Sequence, residues 1–129
     1  MPEIPADEIM TSAELRVVRE WLGFTGEALA LLLGVQDRTV RRWEAGTTPI
    51  PDGARLDVEQ LEHEADDLVG AIGADLLDVV EVAVFTYRTD AEYWTHHPER
   101  RPYPASWHRA VIARVAQDVP GLSIEYWQH

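Results

Sequence analysis

Cysteine is absent from the 129 residues. Its absence excludes disulfides and thiolate zinc centres and fits a reducing compartment. Lysine is absent too, so all eleven basic residues are arginine; an arginine-rich codon usage explains this more simply than selection for bidentate contacts. No run approaches the ~20 apolar residues of a membrane span. Residues 1–10 carry acids and two prolines where a signal peptide has a basic and apolar stretch, so no signal peptide is expected. These absences together lead to the expectation of a cytoplasmic protein with no membrane partner.

Positive charge is scarce as well, with a net charge of −12. Phosphate neutralisation normally needs excess arginine or lysine, so the distribution of that charge decides what it excludes. Residues 11–50 carry five arginines (Arg16, Arg19, Arg38, Arg41, Arg42) against five acids. Residues 52–81 carry ten acids against the single Arg55, while residues 82–129 balance five against five. The acidity therefore belongs to one segment and leaves a neutral N-terminal domain free to bind DNA. A chain of this length suits one compact domain or two very small ones. Domains near ~60 residues bury only about 60% of their unfolded surface, which favours oligomerisation.

Three short amphipathic helices are readable near the N-terminus. Leu15, Val18 and Leu22 recur at helical spacing after Thr11, and Gly23 stops the run. Thr25 can cap a second helix that ends at Gly34, with Glu27 in its first turn. A third helix, residues 36–45, is closed by Gly46 and by the prolines at 49 and 51. From Asp52 to about Ile72, Ala54, Val58, Leu61, Ala65, Leu68 and Ile72 form a heptad-like stripe. Such a stripe covers either its own domain or a coiled-coil partner. Gly70 and Gly73 weaken the helix there and read as a junction. After Asp78 the run VVEVAVFTY reads as a strand, TDAEYWTHH as a short capped helix, PASWHRAVIARVAQDV as a longer one and LSIEYW as a second strand. Two strands alone make a poor sheet, so a second subunit is expected to supply more.

The third helix carries the chemistry. At 100° per residue Val40 and Trp43 share one side and can pack on Leu29 and Leu33, leaving Arg38 and Arg42 opposite, with Asp37 and Arg41 beside them. Like charges at i and i+4 cost a few tenths of a kcal/mol, which an external anion would offset. Asp37 and Arg41 form a favourable i,i+4 pair, so their role is either structural or base-reading.

The stretch TGEALALLLGVQDRTVRRWEAGTTPIP, with Leu29-Ala30, Gly34-Val35, Thr39-Val40 and Trp43-Glu44-x-Gly46 before a proline, resembles the Cro and phage-repressor (XRE-like) helix-turn-helix family. That resemblance implies base contacts from Asp37, Arg38, Arg41 and Arg42, with Gln36 and Thr39 near the backbone or base edges, and phosphate contacts at Thr25, Thr47 and Thr48. Three departures bear on affinity. Gly26 stands where the family often has a phosphate-binding glutamine, Gln36 replaces the usual capping serine, and Thr47-Thr48 replace basic loop residues. One such domain would bind weakly, so dimerisation is expected to place two recognition helices roughly 34 Å apart.

The order of elements in the second half loosely resembles the dimerisation region of anti-CRISPR-associated repressors. Eight of the eleven aromatics fall from Phe85 onward. They fill a small core or serve an interface, where Trp and Tyr are enriched; beside Arg100, Arg101 and Arg109 they are also suited to stacking RNA bases. An enzyme or metal site would have to use His96, His97 and His108 near Glu99, whose adjacent members point apart on most backbones.

The expected fold is α+β. An N-terminal helix-turn-helix bundle of four to five helices occupies residues 11–72, and a small βαβ dimerisation region occupies residues 78–129. The expected function is a sequence-specific transcriptional regulator that binds a double-stranded DNA operator, a homodimeric (auto)repressor reading the major groove with helix 36–45. No enzymatic activity, cofactor or metal is expected. The alternative is an adaptor or antitoxin-type protein whose C-terminal aromatic region binds another protein.

Overall fold

The computed structural model describes residues 9–77, 79 and 83–128. They form two compact units, the first ending at Glu62 and the second beginning at His63.

The first unit begins with α1 (Ser12–Trp21), capped at its N-terminus by the Thr11 side chain. The Thr11 hydroxyl oxygen accepts the Glu14 amide at 3.1 Å while the hydroxyl reaches the Glu14 carboxylate at 3.1 Å. The next helix, α2 (Gly26–Leu33), is capped by Thr25, whose oxygen accepts the Ala28 amide. It ends at Gly34, held at φ 70°, where an L side chain would be strained and where the Val35 amide turns back to the Ala30 carbonyl. Then α3 (Asp37–Ala45) stops the same way at Gly46, φ 78°. Leu15, Leu22, Phe24, Leu29, Ala30, Val40 and Trp43 are buried.

The long helix α4 (Asp52–Asp75) starts in the first unit and continues into the second. It runs through Gly70 and Gly73, contrary to their reading as a junction. Open space surrounds the position of an added Cβ at both, so each glycine costs only its helix propensity, about 1 kcal/mol relative to alanine. Val58, Leu61 and Ala65 are buried within the single chain. The centre of the heptad-like stripe is thus covered by its own chain, as an ordinary amphipathic helix requires.

In the second unit, β1 (Ala83–Thr86) and β2 (Ser123–Tyr126) pair in parallel, with Ala83 opposite Ser123 and Thr86 opposite Tyr126. Between them in sequence lie α5 (Asp90–His96), a 3-10 turn (Pro98–Arg100) and α6 (Ala105–Asp118). The first strand was expected from residue 79; its ladder begins at Ala83, and Val80, Glu81 and Val82 lie outside the described residues. Thr89 caps α5 by accepting the Glu92 amide, and Asp90 in turn accepts the Ala105 amide at 2.8 Å, tying the starts of α5 and α6 together. Tyr93, Trp107, Val111 and Val115 are fully buried. Among the described residues no helix is long and apolar enough to cross a membrane.

Candidate nucleic-acid interface

The surface of α3 follows from what holds its other side. Val40 and Trp43 are buried in the first unit. Glu44, one turn beyond Val40, is largely buried with them and accepts two bonds from Arg19 of α1, Nε at 2.7 Å and Nη2 at 2.9 Å. The third face of that guanidinium donates to the Phe24 carbonyl at 3.0 Å. This fork holds α1, the loop after it and α3 in one arrangement, and the Glu44 carboxylate raises the Arg19 pKa further above its ordinary value. Removing one partner would leave the other charge poorly solvated.

Arg38, Arg41 and Arg42 are all exposed on α3. Arg41 faces Asp37 at 3.4 Å across one helical turn, so the expected pair forms, loosely. The Arg42 side chain has no hydrogen bond or ion pair among the described residues. Gln36 occupies the N-cap of α3 but gives it no side-chain cap; its Oε1 accepts the Arg38 Nε–H at 2.8 Å instead. Thr39 is half-buried.

The three threonines divide. Thr25 uses its oxygen to cap α2, which leaves its hydroxyl proton available to an anion. Thr47 donates its hydroxyl to the Arg42 carbonyl at 3.2 Å, beside its own amide bond to the same oxygen. Its proton is committed to ending α3. Thr48 is exposed next to it. A Cβ at Gly26 would sit 3.5 Å from the Asp37 carboxylate, so the starts of α2 and α3 adjoin.

Arg19 and Glu44 enter the sequence only as members of the balanced charges of residues 11–50, and their pairing is not legible there. A readable signal existed for one of them, because Glu44 falls on the side of α3 defined by Val40. A charged residue on a buried stripe requires a partner, though nothing local names Arg19.

In the second unit the arginines are engaged by rings, carbonyls and a carboxylate of the same unit. Arg109 donates to the Tyr87 carbonyl at 2.5 Å and Arg114 meets Asp66 at 2.6 Å. Arg88, Arg100 and Arg101 lie over the rings of Tyr126, Trp107 and Trp94 at 4.3, 5.6 and 5.1 Å. The Tyr103 hydroxyl donates to Glu64. His108 is buried beside Tyr87 and Tyr93, its Nδ1 2.8 Å from the Thr86 hydroxyl. Burial lowers its pKa to about 4, and the neighbouring His97, Arg100 and Arg109 act in the same direction. Burial raises the hydroxyl pKa of Tyr87 and of Tyr93 above the usual phenol value. His97 pairs with Glu99 at 3.2 Å, and His96 packs on Trp127. Among the described residues no group of three or more His, Asp or Glu side chains is placed to hold a metal ion. The sheet leaves Phe85, Ile124 and Tyr126 at 51%, 45% and 40% exposure, large apolar surfaces for so small a unit.

A family model described as Aca2/YdiL-like matches residues 10–122. No curated protein matches the chain.

Proposed function

The chain belongs to the Aca2/YdiL-like family, whose members are helix-turn-helix regulators associated with anti-CRISPR systems, and from that premise we propose a dimeric, sequence-specific repressor of transcription. In this reading α2 and α3 are the helix-turn-helix pair and α3 enters the major groove of duplex DNA. The observation that carries it is the division of α3: Val40, Trp43 and Glu44 are held by the fold, while Arg38, Arg41 and Arg42 face outward with one loose ion pair among them. An exposed arginine fork matches guanine O6 and N7, and each such pair is worth about 1–3 kcal/mol of discrimination.

A second copy supplies the rest. The exposed Phe85, Ile124 and Tyr126 serve as its contact, and two half-site contacts joined in one dimer compensate for the few cations each domain offers. An adaptor or antitoxin would present the same residues to a different protein; a chain that stays monomeric would favour that role.

The test is selection of bound sequences from a random duplex pool by the full-length chain. The enriched sites should be inverted repeats with half-sites roughly one helical turn apart. Arg42→Ala should then weaken specific binding by about 1–3 kcal/mol at unchanged helicity. With ~4 phosphates neutralised per dimer, log K should fall against log salt with a slope of about −3.6. A pool that yields no enriched sequence would discard the reading.

A further inference from the structure

We propose that Gln36 is a specificity-determining positioning residue, which fixes how the Arg38 guanidinium is presented to a base. The proposal rests on the reading of α3 as the recognition helix. Two features of Gln36 point the same way. Short side chains dominate N-caps because their oxygen can turn back to the first free amides of the helix. Gln36 sits at the N-cap of α3 and makes no such bond. Its amide oxygen accepts Arg38 Nε–H at 2.8 Å instead. Side chains two apart do not face each other within a helix. They meet here because Gln36 precedes the helix in extended backbone, φ −77° and ψ 150°.

That bond selects one edge of the guanidinium. Arginine has two bidentate edges, the side formed by Nε with one terminal nitrogen and the end formed by both terminal nitrogens. With Nε committed to Gln36, only the end edge remains for guanine O6 and N7. The bond also removes rotational freedom from a long exposed side chain before DNA arrives. Arg42, which has no side-chain partner among the described residues, keeps both edges and its freedom. Arg38 is therefore the stricter reader of the two.

Serine at position 36 can cap α3 but cannot reach the arginine, so it removes the bond to Arg38 without weakening the start of the helix. With duplexes selected by the full-length chain and their single-base variants as probes, Arg38→Ala identifies the base pair that Arg38 reads. Gln36→Ser should relax preference at that same pair by about 3- to 10-fold, the freedom of one ordered side chain, with a melting temperature no lower than that of the parent. In the Arg38→Ala background Gln36→Ser should add nothing. Gln36→Glu, which can still accept Nε–H, should retain the ratio between bases even where its charge lowers every affinity equally. If Arg38→Ala relaxes no position, the assignment of Arg38 fails and the proposal fails with it. If Arg38→Ala relaxes a position while Gln36→Ser leaves it intact, or acts additively with it, the role of Gln36 alone is overturned and the recognition helix stands.

Discussion

The two units use arginine in opposite ways. In the second, all five arginines are engaged by the unit itself: three lie over aromatic rings, one meets Asp66 and one donates to the Tyr87 carbonyl. In the first, Arg16, Arg19 and Arg55 pair with glutamates, while the three on α3 stay exposed and are held by little more than Gln36 and Asp37. Both units contain nearly the same number of cations, so composition does not distinguish them. What differs is whether the local fold already provides an acceptor or a ring. A cation that the fold satisfies contributes to stability, and a cation left over on a rigid helix is available to a ligand.

The largest effect should come from acid acting on the second unit. His108 is neutral in the fold down to about pH 4, whereas in the unfolded chain it takes up a proton below its ordinary value near 6.5. The unfolded state binds more protons across that window, so stability rises with pH and is lost as pH falls from about 6.5 to 4. The loss attributable to this group is about 3 kcal/mol. Denaturation of wild type and His108→Gln at pH 7 and pH 4 measures it as the difference between their pH dependences. Equal dependences in the two proteins would show that His108 is not the responsible group.

Next in size is the effect of separating the two copies. Phe85 is half exposed in the single chain, so Phe85→Asp should leave the protomer folded while breaking the proposed dimer. Loss of the linked half-site should lower operator affinity roughly 100-fold, about 2.7 kcal/mol. Sedimentation beside a DNA titration checks both parts. A monomeric variant with full affinity would remove the need for a dimer.

The smallest effects provide the most direct comparison of the two units. Arg101→Ala should lower stability by about 0.5–1 kcal/mol, through loss of its contact with Trp94, and leave DNA binding unchanged. Arg42→Ala should do the reverse. Thermal melts and DNA titrations of the two variants, run together, would refute the contrast if both lost affinity equally.

Much of the chain could be read without a structure because its signals are local. Thr11 with Glu14, Thr25 and Thr89 start helices through their own nearby amides, and Gly34 and Gly46 stop them through a backbone angle that needs no tertiary partner. The exposed arginines of α3 follow from the same periodicity that buries Val40 and Trp43. Gly70 and Gly73 misled because the propensity cost they impose is small beside that of interrupting a 24-residue helix. Sequence alone thus determined where α1, α2 and α3 begin and end and which face of α3 is free. Only the tertiary structure decided that Arg19 joins Glu44 across 25 residues, that His108 is dehydrated against Thr86, and that Gln36 holds Arg38 rather than the helix end. Spacing along a helix specifies direction, but partners distant in sequence meet only once the elements pack. For the Gln36 side-chain oxygen the choice between two nearby donors, the Arg38 Nε–H and the helix-end amides, depended on a backbone turn that no residue pattern encodes.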